Sequence, residues 1–194
     1  MANEIKSGRL KGVRALRVWP VTVNDATTYT TEEMIAVPAL QSLTKEVTSQ
    51  DFTIYADDAV YDTGSEYQYE DLTVKLAELP LELEAKLQGG DFDQEEGSYT
   101  FKSTSTAPEF ALGYAAMMKT GNFRMFKHYA VKLMKVKIDH QTKGSGTEEQ
   151  SFELTFRNAQ RMADGAVRVT KDSADETYTW LNSIDNLPVT EPGA

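Results

Sequence analysis

Phe110-Ala111-Leu112-Gly113-Tyr114-Ala115-Ala116-Met117-Met118-Lys119-Thr120-Gly121-Asn122-Phe123-Arg124-Met125-Phe126-Lys127-His128-Tyr129-Ala130-Val131-Lys132-Leu133-Met134-Lys135-Val136-Lys137-Ile138 is the stretch that decides the fold class. Its first arm alternates with period 2: Phe110, Leu112, Tyr114, Ala116 and Met118 oppose the smaller Ala111, Gly113 and Ala115, the pattern of a β-strand. Lys119 to Asn122 reads as the turn of a hairpin, with Gly121 supplying a positive φ. In the second arm Phe123, Met125, Tyr129, Val131 and Leu133 share one face, and the apolar phase then passes to Met134, Val136 and Ile138. A one-residue slip of that kind is what a β-bulge or a bend between two sheets produces. Arg124, Lys132, Lys135 and Lys137 take the opposite positions. The second arm also exceeds the ordinary strand length of about 5 or 6 residues.

Working outward, more strands appear. In 71–78, Leu72, Val74 and Leu76 oppose Asp71, Thr73 and Lys75, and in 151–157, Phe152, Leu154 and Phe156 oppose Glu153, Thr155 and Arg157. The run Val13-Arg14-Ala15-Leu16-Arg17-Val18-Trp19-Pro20-Val21 is apolar on both faces in places. Pro20 within it cannot donate to a ladder, which implies an edge position or a bulge. A single short helix is marked over about 80–89: Pro80 opens it, Glu82 and Glu84 lie near its positive end, Leu79, Leu83 and Leu87 recur at spacing 4, and Gly89-Gly90 stops it. Its one apolar stripe predicts that it lies against a sheet face. The segments 24–31, 57–65, 91–98 and 139–150 read as loops, the last, with Lys143-Gly144-Ser145-Gly146-Thr147-Glu148-Glu149, being the most linker-like. The expected architecture is mainly β, a β-sandwich or barrel with one flanking helix.

Composition bounds the function. The chain has 194 residues, 40% of them hydrophobic and 26% charged, with 20 basic against 30 acidic side chains and a formal net charge of -10. That length suits one domain. The absence of cysteine excludes disulfides, thiolate zinc sites and cysteine nucleophiles. No apolar run approaches the roughly 20 residues needed to cross a bilayer, and Met1 to Gly8 lacks the apolar stretch of a secretory signal, so synthesis in a cytoplasm is expected. A pI near 4.7 disfavours tight nucleic-acid binding, which needs clustered basic residues. The charge is segregated: residues 46–100 carry 2 basic and 15 acidic groups, residues 101–140 carry 7 and 2. Solvated strand faces account for this, and so does a pairing of opposite surfaces between copies or an acidic wall that repels a polyanion.

Signatures of chemistry are missing. His128 and His140 lack the spacing of a zinc pair and read as structural or surface residues. Asp91-Phe92-Asp93-Gln94-Glu95-Glu96-Gly97 resembles the start of a calcium loop, but the glycine falls one place late and Lys102 stands where a bidentate glutamate belongs. Asp57-Asp58, with Asp51, Asp62 and Glu66 nearby, reads as a solvated acidic loop. Gly144-Ser145-Gly146 does not extend to a nucleophile elbow, and no phosphate-binding glycine motif exists. Trp19 and Trp180 read as core or interface filling. The sequence therefore predicts no catalytic, cofactor-binding or metal-binding residues, and an enzyme is not expected.

The run Tyr69-Glu70-Asp71-Leu72-Thr73-Val74-Lys75-Leu76-Ala77-Glu78-Leu79-Pro80-Leu81 leading into residues 82–90 resembles the strand-then-helix segment of a phage major tail protein. So do Gly8-Arg9-Leu10-Lys11-Gly12-Val13, Leu43-Thr44-Lys45-Glu46-Val47, and Phe110-Ala111-Leu112-Gly113-Tyr114 leading to its hairpin. The resemblance, over roughly residues 6–182, is to the major tail (tail tube) proteins of long non-contractile-tailed phages and prophages of Gram-positive bacteria. It implies a β-sandwich or barrel of tail-tube type with a flanking helix, six copies forming a ring whose inner sheets join, and rings stacking into a tube. It implies as partners the chain itself, the tape measure protein and other tail proteins, with DNA passing through the lumen without specific binding, no membrane, and residence in the virion tail after assembly in the host cytoplasm.

On that resemblance, residues 1–182 are expected to form a single tail-tube domain, with 40–65 an extended loop that orders on stacking, and 183–194 a flexible C-terminal tail. The lysines of 123–137 are expected at an interface or outside rather than in the lumen. Two other readings stand beside it. A monomeric β-sandwich binding module for carbohydrate or protein would use Tyr55, Tyr61, Tyr67 and Tyr69, and a hydrolase built on acidic residues has the least support.

Overall fold

The structure, a computed structural model, describes residues 8–138, 140 and 151–187. The strands in chain order are β1 (Leu10–Asn24), β2 (Tyr29–Thr31), β3 (Ile35–Ala36), β4 (Leu40–Ala56), β5 (Ala59–Leu76), β6 (Asp91–Asp93), β7 (Ser98–Thr100), β8 (Glu109–Met118), β9 (Phe123–Ile138), β10 (Phe152–Ala159) and β11 (Arg168–Ser173), with a helix α1 (Leu81–Gln88) and a 3-10 turn at Thr179–Asn182. Nine of these strands form one antiparallel sheet in the order β2-β1-β8-β9-β10-β5-β4, with β3 on β1 and β11 on β9; β6 and β7 make a separate hairpin. The protein is mainly β with one short helix, its sheet open and barrel-like.

The β8–β9 hairpin is the spine. Its turn is closed by Met118 N–H on the Asn122 carbonyl at 2.7 Å and Gly121 N–H on the Met118 carbonyl at 3.0 Å, with Gly121 at φ 92°. β9 is bulged twice. Residue 134 is the extra residue against β10, where pairing passes from Lys135–Thr155 to Leu133–Phe156, so the phase slip read from the sequence is a bulge at Met134. A second bulge lies at 129–130, where pairing to β8 passes from Val131–Phe110 to His128–Leu112. This one corrects the sequence reading. Val131 and Leu133 do not share a face with Phe123, Met125 and Tyr129; they cross to the main core beside Phe126 and Leu112, while the other three line smaller clusters on the far side.

Both faces of β8 are covered. Phe110, Leu112, Tyr114 and Ala116 join Leu16, Val18, Leu72, Val74, Leu76, Leu154 and Phe156 in the main core, which α1 caps with Leu83 and Leu87. The small-residue face is buried too, because residues 161–187 fold over it. Trp19 and Leu181 press on Gly113 so closely that a Cβ there would lie 3.0 Å from the indole and 3.2 Å from Leu181. Ion pairs and aromatic contacts fix that layer. Lys127, only 1% exposed, lies 4.1 Å over the Trp180 ring and 3.5 Å from Asp185, and Arg161 lies 3.9 Å over Tyr129 while bonding the Asp185 carbonyl at 2.7 Å.

Several expectations change. Pro20 does lie beside a bulge, at Val21–Val23, and its carbonyl receives the Glu32 N–H from the edge side at 2.8 Å. Pro80 is the residue before the helix rather than inside it, and Gly89 at φ 71° ends α1. Residues 91–98 are not a loop but the β6–β7 hairpin, whose turn Asp93 caps by accepting the Glu95 N–H at 2.8 Å. Residues 40–65 are not an extended loop either: they are β4 and the first part of β5, paired nearly to the tip. The backbone satisfies its hydrogen bonds within this ribbon without waiting for a partner. Ile184 is buried and Leu187 bridges to Tyr29, so the part of the expected flexible tail from 184 to 187 is tied down. Residues 188–194 and the linker at 141–150 lie outside the described residues.

Candidate assembly surface

The ribbon of β4 and β5 is the feature without a role in the core. β10 pairs with β5 only from Leu76 to Glu70; beyond that point the two strands continue alone, pairing Thr48 with Tyr69 and ending at Ala56 opposite Ala59. The tip is a two-residue turn, Asp57-Asp58, with φ 49° and 61°. Positive φ at both central residues is the hairpin geometry of a type I′ turn, and Asp tolerates it better than most residues. The acidic pair that the sequence reads as part of a solvated loop is thus a turn. Among the described residues no three His, Asp or Glu side chains gather as a metal would require.

The ribbon extends the core face into solvent. On one face Leu43 and Val74 pair within the core, and the same face runs outward through Val47, then Ser49 opposite Tyr67, then Tyr55 opposite Val60. Val47, Tyr67, Val60 and Tyr55 are 45%, 44%, 56% and 70% exposed. The other face holds Phe52 and Ile54. Phe52 packs its ring tip on Gly64, where a Cβ would sit 2.4 Å from the ring. Three register shifts, at Gln41, Gln68 and Tyr61, interrupt the ladder, and each adds local twist. An isolated two-stranded ribbon is marginal in water, and a run of exposed apolar side chains marks a surface made for contact.

A buried charge cluster marks the root of this arm. Glu70 is the first fully buried residue of β5 inward from the tip. Its carboxylate receives Arg168 of β11, stands 3.0 Å from His128 Nδ1 of β9 and 4.0 Å from Lys45 Nζ of β4. Asn158 of β10 completes the cluster, its amide oxygen turned to Nδ1 at 3.0 Å and its nitrogen donating to the Ala130 and Ala159 carbonyls. Burial, with the nearby Lys45 charge, pushes the His128 pKa down to about 3, so the ring is neutral and donates from Nδ1. Its stacking on Tyr114 at 5.9 Å fixes the ring plane.

Of the residues the sequence singled out, the structure brings few together. His128 is in this cluster, whereas His140 is exposed and belongs to no element. Trp19 is core and Trp180 covers Lys127. Tyr55 and Tyr61 stand exposed on the arm, but Tyr69 lies under Arg157, 3.8 Å from its guanidinium. Lys135 and Lys137 are exposed on the far half of β9. Glu70 lies in phase with Leu72, Val74 and Leu76, so a glutamate on the core-facing side of the strand is the signal that marks it; the alternating stretch read from the sequence begins one residue later, at Asp71.

No family model matches the chain, and no curated protein matches it. Among solved structures, a chain of the cryo-EM structure of the anti-feeding prophage baseplate, 6-fold symmetrised, aligns over 89% of this chain and 97% of that chain, with a TM-score of 0.39 and 6% identity. A likeness that slight carries no function across.

Proposed function

We propose that the chain is a self-assembling structural subunit of a phage tail tube, forming hexameric rings that stack into a channel for DNA, with no catalysis and no cofactor. The observation that carries the reading is the arm: a core face that runs on past the body, exposed, on a ribbon held out by a buried charge cluster. The sequence resemblance to major tail proteins supports the same reading. Its partners on this reading are further copies of itself, the tape measure protein and other tail proteins, in the virion tail. No helix among the described residues is long and apolar enough to cross a membrane.

Negative-stain electron microscopy of the concentrated protein, with light scattering on the same sample, tests the proposal. Rings or hollow tubes with sixfold end views are expected. A second reading, a monomeric carbohydrate- or protein-binding module, is favoured by the exposure of Tyr55 and Tyr61, 70% and 77%. A chain that stays monomeric at every concentration and shifts its tyrosine fluorescence on sugar titration would select that reading instead.

A further inference from the structure

The sheet leaves an opening into the main core. β1 and β4 do not pair with each other. The chain entering β4 is joined to β1 where Val37 N–H bonds the Leu16 carbonyl at 2.9 Å. Beyond that point, toward Leu10 and Gln41, a groove of about 440 Å³ lies between the two strands, a size typical of small-molecule sites. Leu10, Val13, Leu43, Ala116 and Phe126 line it, together with Tyr114 and Lys45. Lys11 and Arg14, which pair with Met117 and Ala115, stand on the opposite face of the sheet and are not part of the lining.

Tyr114 and Lys45 give this apolar groove its chemistry. Tyr114 is 4% exposed and stacks on Phe126 at 4.7 Å, yet its hydroxyl has no hydrogen-bond partner among the described residues. Burial pushes its pKa up, so the hydroxyl keeps its proton and donates. Lys45 Nζ lies 5.4 Å over the same Phe126 ring. Its anion is Glu70, 4.0 Å away, but Arg168 is already in contact with that carboxylate and His128 is neutral. One carboxylate thus faces two cations, and the surplus positive charge falls on Lys45, the one that lines the groove. Burial and the Arg168 charge hold the Lys45 pKa below its ordinary value, a cost that a second anion beside it would offset.

We propose that the groove binds a long-chain carboxylic acid, its carboxylate held by Lys45 and the Tyr114 hydroxyl and its alkyl chain laid over Phe126, Ala116 and Val13 toward Leu10. One ammonium and one hydroxyl match a single carboxylate, and the lining beyond them is apolar. An extended peptide fits the opening poorly. β1 is bulged beside it at Gly12 and Ala15, with φ 59° and 54°, so its free edge offers no regular ladder to an added strand. The inference goes beyond self-assembly and does not depend on it.

Displacement of dansyl-labelled undecanoic acid from the full chain, with probe and competitors below their micelle-forming concentrations, tests the site. Saturable binding is expected, with decanoate displacing the probe about tenfold better than decanol, the size of a charge-assisted hydrogen bond. Lys45→Gln and Tyr114→Phe are each expected to weaken decanoate by about tenfold and to leave decanol within about twofold; retained decanol binding shows that the variants are folded. Lys11→Glu with Arg14→Glu is expected to change neither ligand, because those side chains lie across the sheet. The acid-against-alcohol comparison needs no variant. No saturable binding, equal displacement by acid and alcohol, or weakening by the Lys11 and Arg14 changes without weakening by Lys45→Gln would each overturn the proposal.

Discussion

Glu70 sits where β5 leaves the sheet, and the side chains of four other strands converge on it. A buried carboxylate is stable only while its cations and donors surround it. Glu70→Ala strands Arg168 and the half-buried Lys45 against an apolar floor, and a loss of about 3–5 kcal/mol is expected in urea unfolding, as for breaking a buried pair. His128 adds a pH term. The native ring stays neutral down to a pKa of about 3, whereas in the unfolded chain it takes a proton near 6.5. The unfolded state therefore binds more protons below pH 6.5, and stability falls as pH drops, by up to about 1.4 kcal/mol per unit. Between pH 6.5 and 5, before carboxylates titrate, denaturation curves should show this slope, and His128→Gln should flatten it. Gly113 is limited by space: with Trp19 and Leu181 already at contact, Gly113→Val is expected to cost about 1–3 kcal/mol by overpacking, read as a lowered denaturation midpoint.

The helix and the arm are separable elements with different dependencies. α1 ends because Gly89 turns left-handed and its N–H and that of Gly90 take up the Lys86 and Ala85 carbonyls. A Cβ on Gly89 would lie 2.1 Å from the Thr106 carbonyl oxygen. Gly89→Ala is expected to destabilise the protein by roughly 1–3 kcal/mol, combining a strained φ with displacement of that loop. The arm, by contrast, contributes little to the core. Thr48 and Tyr69 face each other across the ribbon, so replacing residues 49–68 by Asn-Gly gives a type I′ turn at the root. The shortened chain is expected to melt within a few degrees of the wild type and to lose association entirely by light scattering. A longer cut at residues 44–64 is less clean, since it also removes Lys45 from beside Phe126 and Glu70.

At the scale of the whole molecule the sheet has two uses. Its central part, β8 to β5 with α1, holds the main core, and the ribbon of β4 and β5 runs on beyond it. Charge is divided the same way, with acidic groups on the arm and basic groups at the start of β1 and on β9. Exposed opposite charges attract less as salt screens them, with a Debye length of about 8 Å at physiological ionic strength. Assembly followed by light scattering should therefore weaken between 50 mM and 500 mM salt, while urea midpoints barely move because the core is apolar.

The sequence by itself determined the elements whose burial is one-sided. Leu72-x-Val74-x-Leu76 and Phe152-x-Leu154-x-Phe156 alternate because water lies on one face of those strands and the core on the other, and the Met134 slip was visible because a bulge shifts that alternation by one residue. The helix was legible from its leucine spacing and its two glycines. Periodicity failed where both faces share one environment. β8 is buried on both sides, so its small residues did not announce the layer of 161–187 above them. The arm is exposed on both sides, so its hydrogen-bonded ribbon looked like a loop. Which residues oppose one another across a second bulge at 129–130, and that Glu70, His128, Asn158 and Arg168 from four strands meet at one point, were decided only by the tertiary structure, because those contacts join residues up to 98 positions apart that no local pattern links.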